Sequence, residues 1–160
     1  MLSYPNNIQP LEAALKQIAA WRVWGDRIVF TNGCFDILHP GHVDCLVKAR
    51  QQGDRLIAGL NTDASVQRLK GSSRPIQAEQ ARALVLAGLR AVDLVVFFEE
   101  DTPLKLIQAI LPDVLVKGGD YEIDEIVGAK EVIENGGTVA TIPFLEGYSS
   151  SNIIEKIQRI

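Results

Sequence analysis

Nearly continuous runs of apolar residues, many of them β-branched, recur along the 160-residue chain. The five runs cover residues 27–31, 55–60, 94–98, 114–117 and 138–142. Runs that are continuous, and do not alternate with polar residues, are typical of strands buried on both faces of a parallel sheet. The pattern therefore predicts five buried, parallel strands.

Stretches with helical periodicity separate these runs. Apolar spacing predicts helices over residues 9–21, 41–52, 78–88, 104–111, 125–135 and 151–158. Thr102 is the expected N-cap of the fourth helix, with Pro103 at its first position. Strands that alternate with helices favour a Rossmann-like, doubly wound α/β fold with helices on both faces of the sheet. We expect residues 1–24 to form an N-terminal helical extension and residues 25–160 to form a single domain.

Composition narrows the classes of function. A net charge of −4, with 20 acidic and 16 basic residues, argues against a nucleic-acid partner but permits a local phosphate site. No run of 18 apolar residues predicts a membrane helix, and no signal peptide is recognised at the N-terminus, so we expect a cytoplasmic protein. Cys34 and Cys45 lack zinc-like spacing. They are interpreted as small buried side chains in a reducing compartment, with a disulfide or a reactive thiol as the alternative.

Both histidines of the chain lie in the segment 31–42, directly after the first predicted strand. His39 and His42 are three residues apart and flank Pro40-Gly41 at the start of a predicted helix, so both should point the same way. The free N–H groups and the positive dipole end of a helix attract anions there. Gly33 allows the backbone to approach a ligand closely. The pattern predicts a phosphate site suited to phosphoryl or nucleotidyl transfer.

A structural role and a zinc site are the weaker interpretations of this histidine pair. The histidines could serve structure alone, although their pairing after a glycine-bearing strand end disfavours this. They could bind zinc, but zinc needs a third protein ligand, and only Asp36 or Cys34 lies nearby. We therefore predict no metal site made by protein side chains.

The residues 33–42, Gly-Cys-Phe-Asp-Ile-Leu-His-Pro-Gly-His, resemble the motif of the HxGH nucleotidyltransferase superfamily in its cytidylyltransferase-like branch. The resemblance implies that His39 and His42 bind phosphates in the transition state. It also implies that the segment ending at Asp36 contacts the substrates. Within that segment, the expected contacts with the triphosphate and nucleoside are Thr31, Asn32, Gly33, Cys34 and Phe35.

The segment 69–76 is a short basic loop that would ordinarily be a solvated surface loop. The same resemblance implies a mobile flap whose Lys70 reaches the phosphates, with Arg74 beside the substrate. Arg82, in the next predicted helix, could be an ordinary exposed arginine. In the family pattern, a basic residue there helps to hold the loop or the substrate.

Two later segments complete the predicted site. Lys117, Gly119 and Asp120 follow the fourth strand, where they are candidates for nucleotide contact, although a simple turn would also explain the glycines. Ser149 and Ser150 precede the last helix and are candidates for phosphate binding, although one serine there is explained by an N-cap. The sequence does not decide which serine caps the helix.

The segments together resemble the adenylyltransferase domains of bacterial ADP-heptose synthases over residues 25–160. This resemblance implies transfer of AMP from ATP to D-glycero-β-D-manno-heptose 1-phosphate in lipopolysaccharide synthesis, with Mg²⁺ held mainly by the ATP phosphates. Two departures from the resemblance concern the kinase and the serines. The 160 residues leave no room for the sugar kinase that is often fused to such domains, so we expect a separate kinase and phosphatase to supply the substrate. Three serines stand at 149–151 where the family usually has Ser-Thr-Thr. The expected partners are small molecules, without nucleic acid or membrane. The N-terminal helix could form a homodimer contact or could pack on the core of its own chain, and the sequence leaves both open.

Several further functions remain open from the sequence alone. The chain could transfer a cytidylyl or adenylyl group to glycerol 3-phosphate, FMN or phosphopantetheine. It could also bind a nucleotide without turnover, although intact His39, His42 and Lys70 disfavour this. A fragment of a class I aminoacyl-tRNA synthetase is disfavoured because a short, acidic chain offers no basic surface for tRNA.

Overall fold

A sheet of five parallel strands, in the order β3-β2-β1-β4-β5, lies at the centre of the computed structural model, which describes residues 6–160. The strands are β1 (Ile28–Gly33), β2 (Arg55–Asn61), β3 (Leu94–Phe98), β4 (Val114–Gly118) and β5 (Thr138–Ile142). The strand order reverses between β1 and β4, which makes their carboxyl ends the expected ligand crevice. The predicted Rossmann-like fold is confirmed.

Hydrophobic side chains cover both faces of this sheet, as the continuous apolar runs predicted. On one face, Phe30 of β1 pairs in register with Ile57 and Leu115 and belongs to a core that includes Ile107. On the other face, Val29 belongs to a second core with Leu46 and Leu86 among its members. Successive residues of β1 thus enter opposite cores, which explains why the strand contains no polar position until Thr31.

Within residues 6–160, seven α-helices surround the sheet. They are α1 (Leu11–Val23), α2 (Pro40–Arg50), α3 (Asp63–Lys70), α4 (Glu79–Ala87), α5 (Leu104–Ile110), α6 (Ala129–Glu134) and α7 (Ser150–Gln158), with a 3₁₀ turn at Ile123–Glu125. Residues 11–23 of α1 contribute Ala14, Ile18 and Trp21 to the core. The division at residue 24 stays a prediction. None of the helices that the structure describes is both long enough and apolar enough to span a membrane.

Three differences between the predicted and the observed helix starts have a clear physical reason. The helix α3 was not predicted; it begins because the Thr62 side chain accepts a hydrogen bond from the amide of Ser65. The predicted N-cap at Thr102 is wrong, since Pro103 occupies the cap and its carbonyl accepts from the amide of Ile107. The helix α6 begins four residues later than predicted, after the 3₁₀ turn and after Gly128 in a left-handed conformation (φ 86°).

Candidate active site

A cleft of about 1050 Å³ lies across the carboxyl ends of the strands, at the reversal of strand order. Most of the predicted site residues meet there. The structure places the following predicted residues on its walls: Thr31, Asn32, Gly33, Cys34, Phe35, His39, His42, Lys70, Lys117, Asp120, Ser149 and Ser150. Gly119 is buried directly beside the lining residue Gly118.

The loop after β1 is shaped by Phe35, whose backbone is in the left-handed region with φ 44°. Its ring folds back over Gly33, where a Cβ atom would lie only 3.1 Å from the ring edge. The same ring meets His42 edge to face, with centroids 5.3 Å apart. Gly33 is therefore required for the close approach of Phe35, and Phe35 in turn fixes the position of one histidine.

The two histidines occupy the first turn of α2. His39 is the N-cap residue, Pro40 follows in the first turn, and the amide of His42 donates to the carbonyl of His39. The imidazole rings stack with centroids 3.8 Å apart and an interplanar angle of 24°. Both Nδ1 atoms are buried and have no hydrogen-bond partner among residues 6–160. A buried nitrogen without a partner needs an explanation, and pairing with a bound ligand is one.

Burial keeps both imidazoles neutral. It lowers the pKa of His42 to about 4, with smaller electrostatic contributions from His39, whose protonation would compete with that of His42, and from Lys70. Burial likewise lowers the pKa of His39 below its usual value. At pH 7 each ring therefore has one donor and one acceptor nitrogen, and the pair approaches an anion without its own positive charge.

A second helix N-terminus adjoins the first. The Ser149 side chain caps α7 by accepting a hydrogen bond from the amide of Asn152, at 3.0 Å, and Ser150 Oγ donates to the carbonyl of Ile37. A Cβ atom on Gly41 would lie 3.3 Å from Tyr148 Cβ, so the loop before α7 touches the start of α2. The N-cap of α7, which the sequence did not decide, is thus Ser149. Two positive dipole ends meet at one side of the cleft.

The cationic side chains of the cleft come from two elements. Lys70 is exposed and is the last residue of α3, a helix that the sequence interpretation did not include. Lys117, at the end of β4, is half-buried, and burial lowers its pKa. Its Nζ lies 5.7 Å from the centroid of the Tyr121 ring. Asp120 is exposed on the same wall.

Asp36 and Arg74 lie behind the loop and do not line the cleft. The Asp36 carboxylate is buried and accepts from Arg74 Nε at 2.6 Å and from the amides of Ile76 and Gln77 at 2.9 Å. Burial alone would raise the pKa of Asp36, but these three donors together hold it below its usual value. Their geometry supports a role in fixing the segment after Lys70, and direct substrate contact by either residue stays a prediction.

Arg82 is not an exposed arginine, since only 1% of its surface is accessible. Its guanidinium donates to the carbonyl of Gln77 at 3.0 Å, to the carbonyl of Cys34 at 2.6 Å and to the Asp63 carboxylate at 2.8 Å. It therefore joins three segments around the cleft: the loop after β1, the segment before α4 and the start of α3. Arg82 itself does not line the cleft, and its contact with substrate stays a prediction.

Sequence interpretation missed several residues of the cleft wall. Asp101 and Thr102 follow β3, Tyr121 follows β4, and Phe144 and Tyr148 follow β5. The rule that ligands bind beyond the carboxyl ends of strands would have indicated all of them. Among residues 6–160, no group of three His, Cys, Asp or Glu side chains is arranged to hold a metal ion. Cys34 and Cys45 are free thiols, and burial raises the pKa of both.

Known proteins share this architecture and much of the sequence. A family model described as cytidylyltransferase-like matches residues 30–156. The bifunctional protein HldE of Azorhizobium caulinodans is 55% identical over 152 residues, which are 95% of this chain and 32% of that protein. HldE of Nitrobacter hamburgensis is 59% identical over 141 residues, 88% of this chain and 29% of that protein. The chain thus spans about a third of the length of these curated relatives.

Solved structures also superpose on this chain. The lipopolysaccharide core biosynthesis protein from Thermoplasma volcanium superposes with a TM-score of 0.62 and 30% identity, covering 78% of this chain and all of that chain. Pantoate-β-alanine ligase from Francisella tularensis superposes with a TM-score of 0.55 at 18% identity, covering 91% of this chain and 76% of that chain. The second likeness concerns the fold alone.

Proposed function

Because the chain belongs to the cytidylyltransferase-like family of nucleotidyltransferases, we propose that it transfers AMP from ATP to D-glycero-β-D-manno-heptose 1-phosphate. The products are ADP-heptose and pyrophosphate. The acceptor is supported by the relatives: the domain of HldE that this chain matches is its C-terminal ADP-heptose synthase adenylyltransferase. Two free cysteines and an ATP substrate support a cytoplasmic reaction.

The observation that carries nucleotidyl transfer is the meeting of two helix N-termini with two unpaired histidine nitrogens. The N-termini of α2 and α7 direct free amides and positive dipole ends towards one side of the cleft. The buried Nδ1 atoms of His39 and His42 lie at the same place without partners. Donors fixed in this way stabilise charge on phosphate oxygens without reorganising during the reaction.

The reaction needs no general base. A phosphate oxygen of the sugar phosphate, already an anion, attacks the α-phosphorus of ATP and forms a new P–O bond. The bond from the α-phosphorus to the oxygen that bridges to the β-phosphorus breaks, and pyrophosphate leaves with both electrons. His39 and His42 donate hydrogen bonds to the oxygens around the α-phosphorus, and Lys70 adds a positive charge from the end of α3.

Mg²⁺, when bound, would supply positive charge on the phosphates. The described residues fit a metal held by phosphates and water, because they offer no group of three protein ligands. Among the nucleotide contacts, we assign Thr31, Asn32 and Gly33 to the approach of the triphosphate along the end of β1. Lys117 and Asp120 are assigned to the nucleoside at the end of β4.

Release of pyrophosphate from ATP tests the proposal. We expect rapid release with heptose 1-phosphate, and slow or no release with CTP or with other sugar phosphates. Release with a different pair of substrates would retain nucleotidyl transfer and reject the heptose acceptor. No release with any pair, despite ATP binding, would reject catalysis.

A variant of one histidine tests the mechanism. His42→Ala should lower turnover on the order of 10²- to 10³-fold, as does the loss of a comparable transition-state donor. Lys16→Ala is a suitable control, because Lys16 is exposed and, within residues 6–160, its ion pair is with the exposed Glu12 on the surface of α1. Full turnover by a folded His42→Ala protein would contradict the assigned role.

A further inference from the structure

Three polar side chains line the cleft on the side made by β2 and β3. Asn61 is the last residue of β2, and Asp101 and Thr102 follow β3. The two strands stay in register to their ends: Asn61 is paired with Phe98, and the amide of Thr62 donates to the carbonyl of Phe98 at 3.0 Å. The three side chains therefore lie at one edge of the cleft, beyond two neighbouring strands.

Asn61 has a buried acceptor atom with a weak partner. Only 3% of the residue is accessible, and its Nδ2 donates to Ser65 Oγ at 2.9 Å. Within residues 6–160, the partner of its Oδ1 is the Cys34 thiol at 3.9 Å, and a thiol is a weak donor. Buried polar atoms are normally paired with a good donor, and a hydroxyl group of a ligand would supply one here.

Asp101 is a carboxylate that its neighbours hold in place. Its Oδ1 accepts from Arg68 Nε at 2.7 Å, and Arg68 also donates to the carbonyl of Glu99. The carbonyl of Glu100 accepts from Ser65 Oγ at 3.0 Å, so the helix α3 fixes the loop in which Asp101 lies. Within residues 6–160, the structure shows no hydrogen bond to the second oxygen, Oδ2. One oxygen thus anchors the side chain and the other can accept from a ligand.

The charge of Asp101 is unfavourable in this cleft unless it binds something other than phosphate. Both proposed substrates are anions, and like charges repel. Both substrates also contain a sugar, and carboxylates accept hydrogen bonds from hydroxyl groups. Asp120, beyond β4, is assigned to the nucleoside. Asp101 lies beyond β3, on the other side of β1 in the strand order, and His39 and His42 follow β1. The second sugar therefore belongs at the edge that contains Asp101.

We propose that Asn61, Asp101 and Thr102 form the acceptor subsite, where they bind hydroxyl groups of the sugar phosphate. This inference rests on the proposed function and adds to it the residues that recognise the acceptor. The helix α3 holds the Asp101 loop and ends at Lys70, so one helix positions a carboxylate for the sugar and a positive charge for its phosphate. A site that pairs its polar groups with substrate hydroxyls rejects an acceptor that lacks them. The subsite therefore selects a sugar phosphate over an acceptor with fewer hydroxyl groups, such as glycerol 3-phosphate.

Steady-state kinetics of pyrophosphate release test the subsite. At saturating ATP, Asp101→Ala should raise the KM for heptose 1-phosphate by about tenfold or more, the usual effect of losing a hydrogen bond to a charged group, with kcat little changed. The Kd for ATP, measured by calorimetry with Mg²⁺ and without acceptor, should stay unchanged or fall. By charge alone, the loss of a carboxylate would strengthen the binding of both anionic substrates. A rise confined to the acceptor therefore identifies lost hydrogen bonds.

Two milder variants and a control separate contact with the sugar from support of the loop. Asp101→Asn retains an acceptor oxygen and should raise the KM for the acceptor less than Asp101→Ala. Thr102→Val removes only a hydroxyl group and should raise this KM by about threefold. Glu100→Ala is the matched control, because this neighbouring carboxylate does not line the cleft and pairs with Lys105 at 3.1 Å. It should leave the KM for the acceptor and the Kd for ATP unchanged.

The outcomes distinguish the subsite from the proposed function. An unchanged KM for heptose 1-phosphate in Asp101→Ala, or a rise of equal size in Glu100→Ala, overturns the acceptor subsite and leaves the proposed function standing. A rise in the Kd for ATP that matches the rise in KM has the same meaning. Failure of the wild-type protein to release pyrophosphate with heptose 1-phosphate would instead overturn the proposed function.

Discussion

The neutral state of His42 makes the stability of this protein depend on pH in a range where most carboxylates do not titrate. In the folded chain the pKa of His42 is lowered to about 4, mainly by burial, whereas an unfolded histidine has a pKa near 6.5. Between these values the unfolded chain binds a proton that the folded chain does not. The contribution of the neutral His42 to the free energy of unfolding is therefore fully present above pH 6.5 and is lost as the pH falls towards 4.

The size of this loss follows from the shift in pKa. A difference of about 2.5 units corresponds to roughly 3 kcal/mol over the whole range, at about 1.4 kcal/mol per unit. Between pH 7 and pH 5 alone the expected loss is about 2 kcal/mol. The His39 pKa is also lowered, which adds to the loss in the same direction.

Urea unfolding at pH 7 and pH 5 measures this effect directly. The wild-type protein should lose about 2 kcal/mol more than a His42→Gln variant, which has no imidazole to protonate at that position. Because the chain contains two histidines, proton NMR of each single variant assigns the remaining imidazole and reports its pKa. Parallel pH dependence in the two proteins, with both imidazoles titrating near 6.5, would refute the neutral pair.

Two further predictions concern the groups that hold the site. Asp36→Asn should lower the free energy of unfolding by about 3 kcal/mol in urea, because it leaves Arg74 and two amides without a carboxylate. The control Asp101→Asn removes an exposed ion pair with Arg68 and should cost under about 1 kcal/mol. Equal losses would contradict the buried role of Asp36. Ser149→Ala should cost about 1 kcal/mol as a lost helix cap, and Ser151→Ala should cost little; the reverse order in thermal unfolding would show that the cap is assigned wrongly.

The sheet was predictable because its strands are buried on both faces. Two of the five runs, 94–98 and 138–142, match the observed strands residue for residue. The helix α3 was not predicted because its apolar periodicity is weak: Val66 and Leu69 are its two large hydrophobic residues, and the helix begins from a side-chain cap on Thr62. A capping bond between neighbours stabilises a helix without leaving a hydrophobic pattern in the sequence.

The position of the two histidines in the cleft was predictable, but the hydrogen bonds that hold the surrounding loops were not. His39 and His42 were indicated by their spacing and by the strand end before them. The partners of Asp36 and Arg82 lie up to 48 residues away along the chain, and no local pattern indicates such pairs. Phe144 was missed for a different reason: the strand-end rule indicates the segment after β5, but a single phenylalanine there resembles the end of the apolar run.

The distribution of charge around the cleft indicates how it stabilises phosphates. Among the described residues that line it, Lys70 and Lys117 are the lysine or arginine side chains. Four carboxylates also line it: Asp101, Asp120, Glu125 and Glu146. Arg74 and Arg82, which could have supplied charge, are instead paired behind the loop. Formal charge on the protein therefore does not account for the binding of a triphosphate. Helix amides and neutral imidazoles remain as donors, and directional donors of this kind can favour the geometry of the transition state over that of bound ATP, which a diffuse positive field cannot.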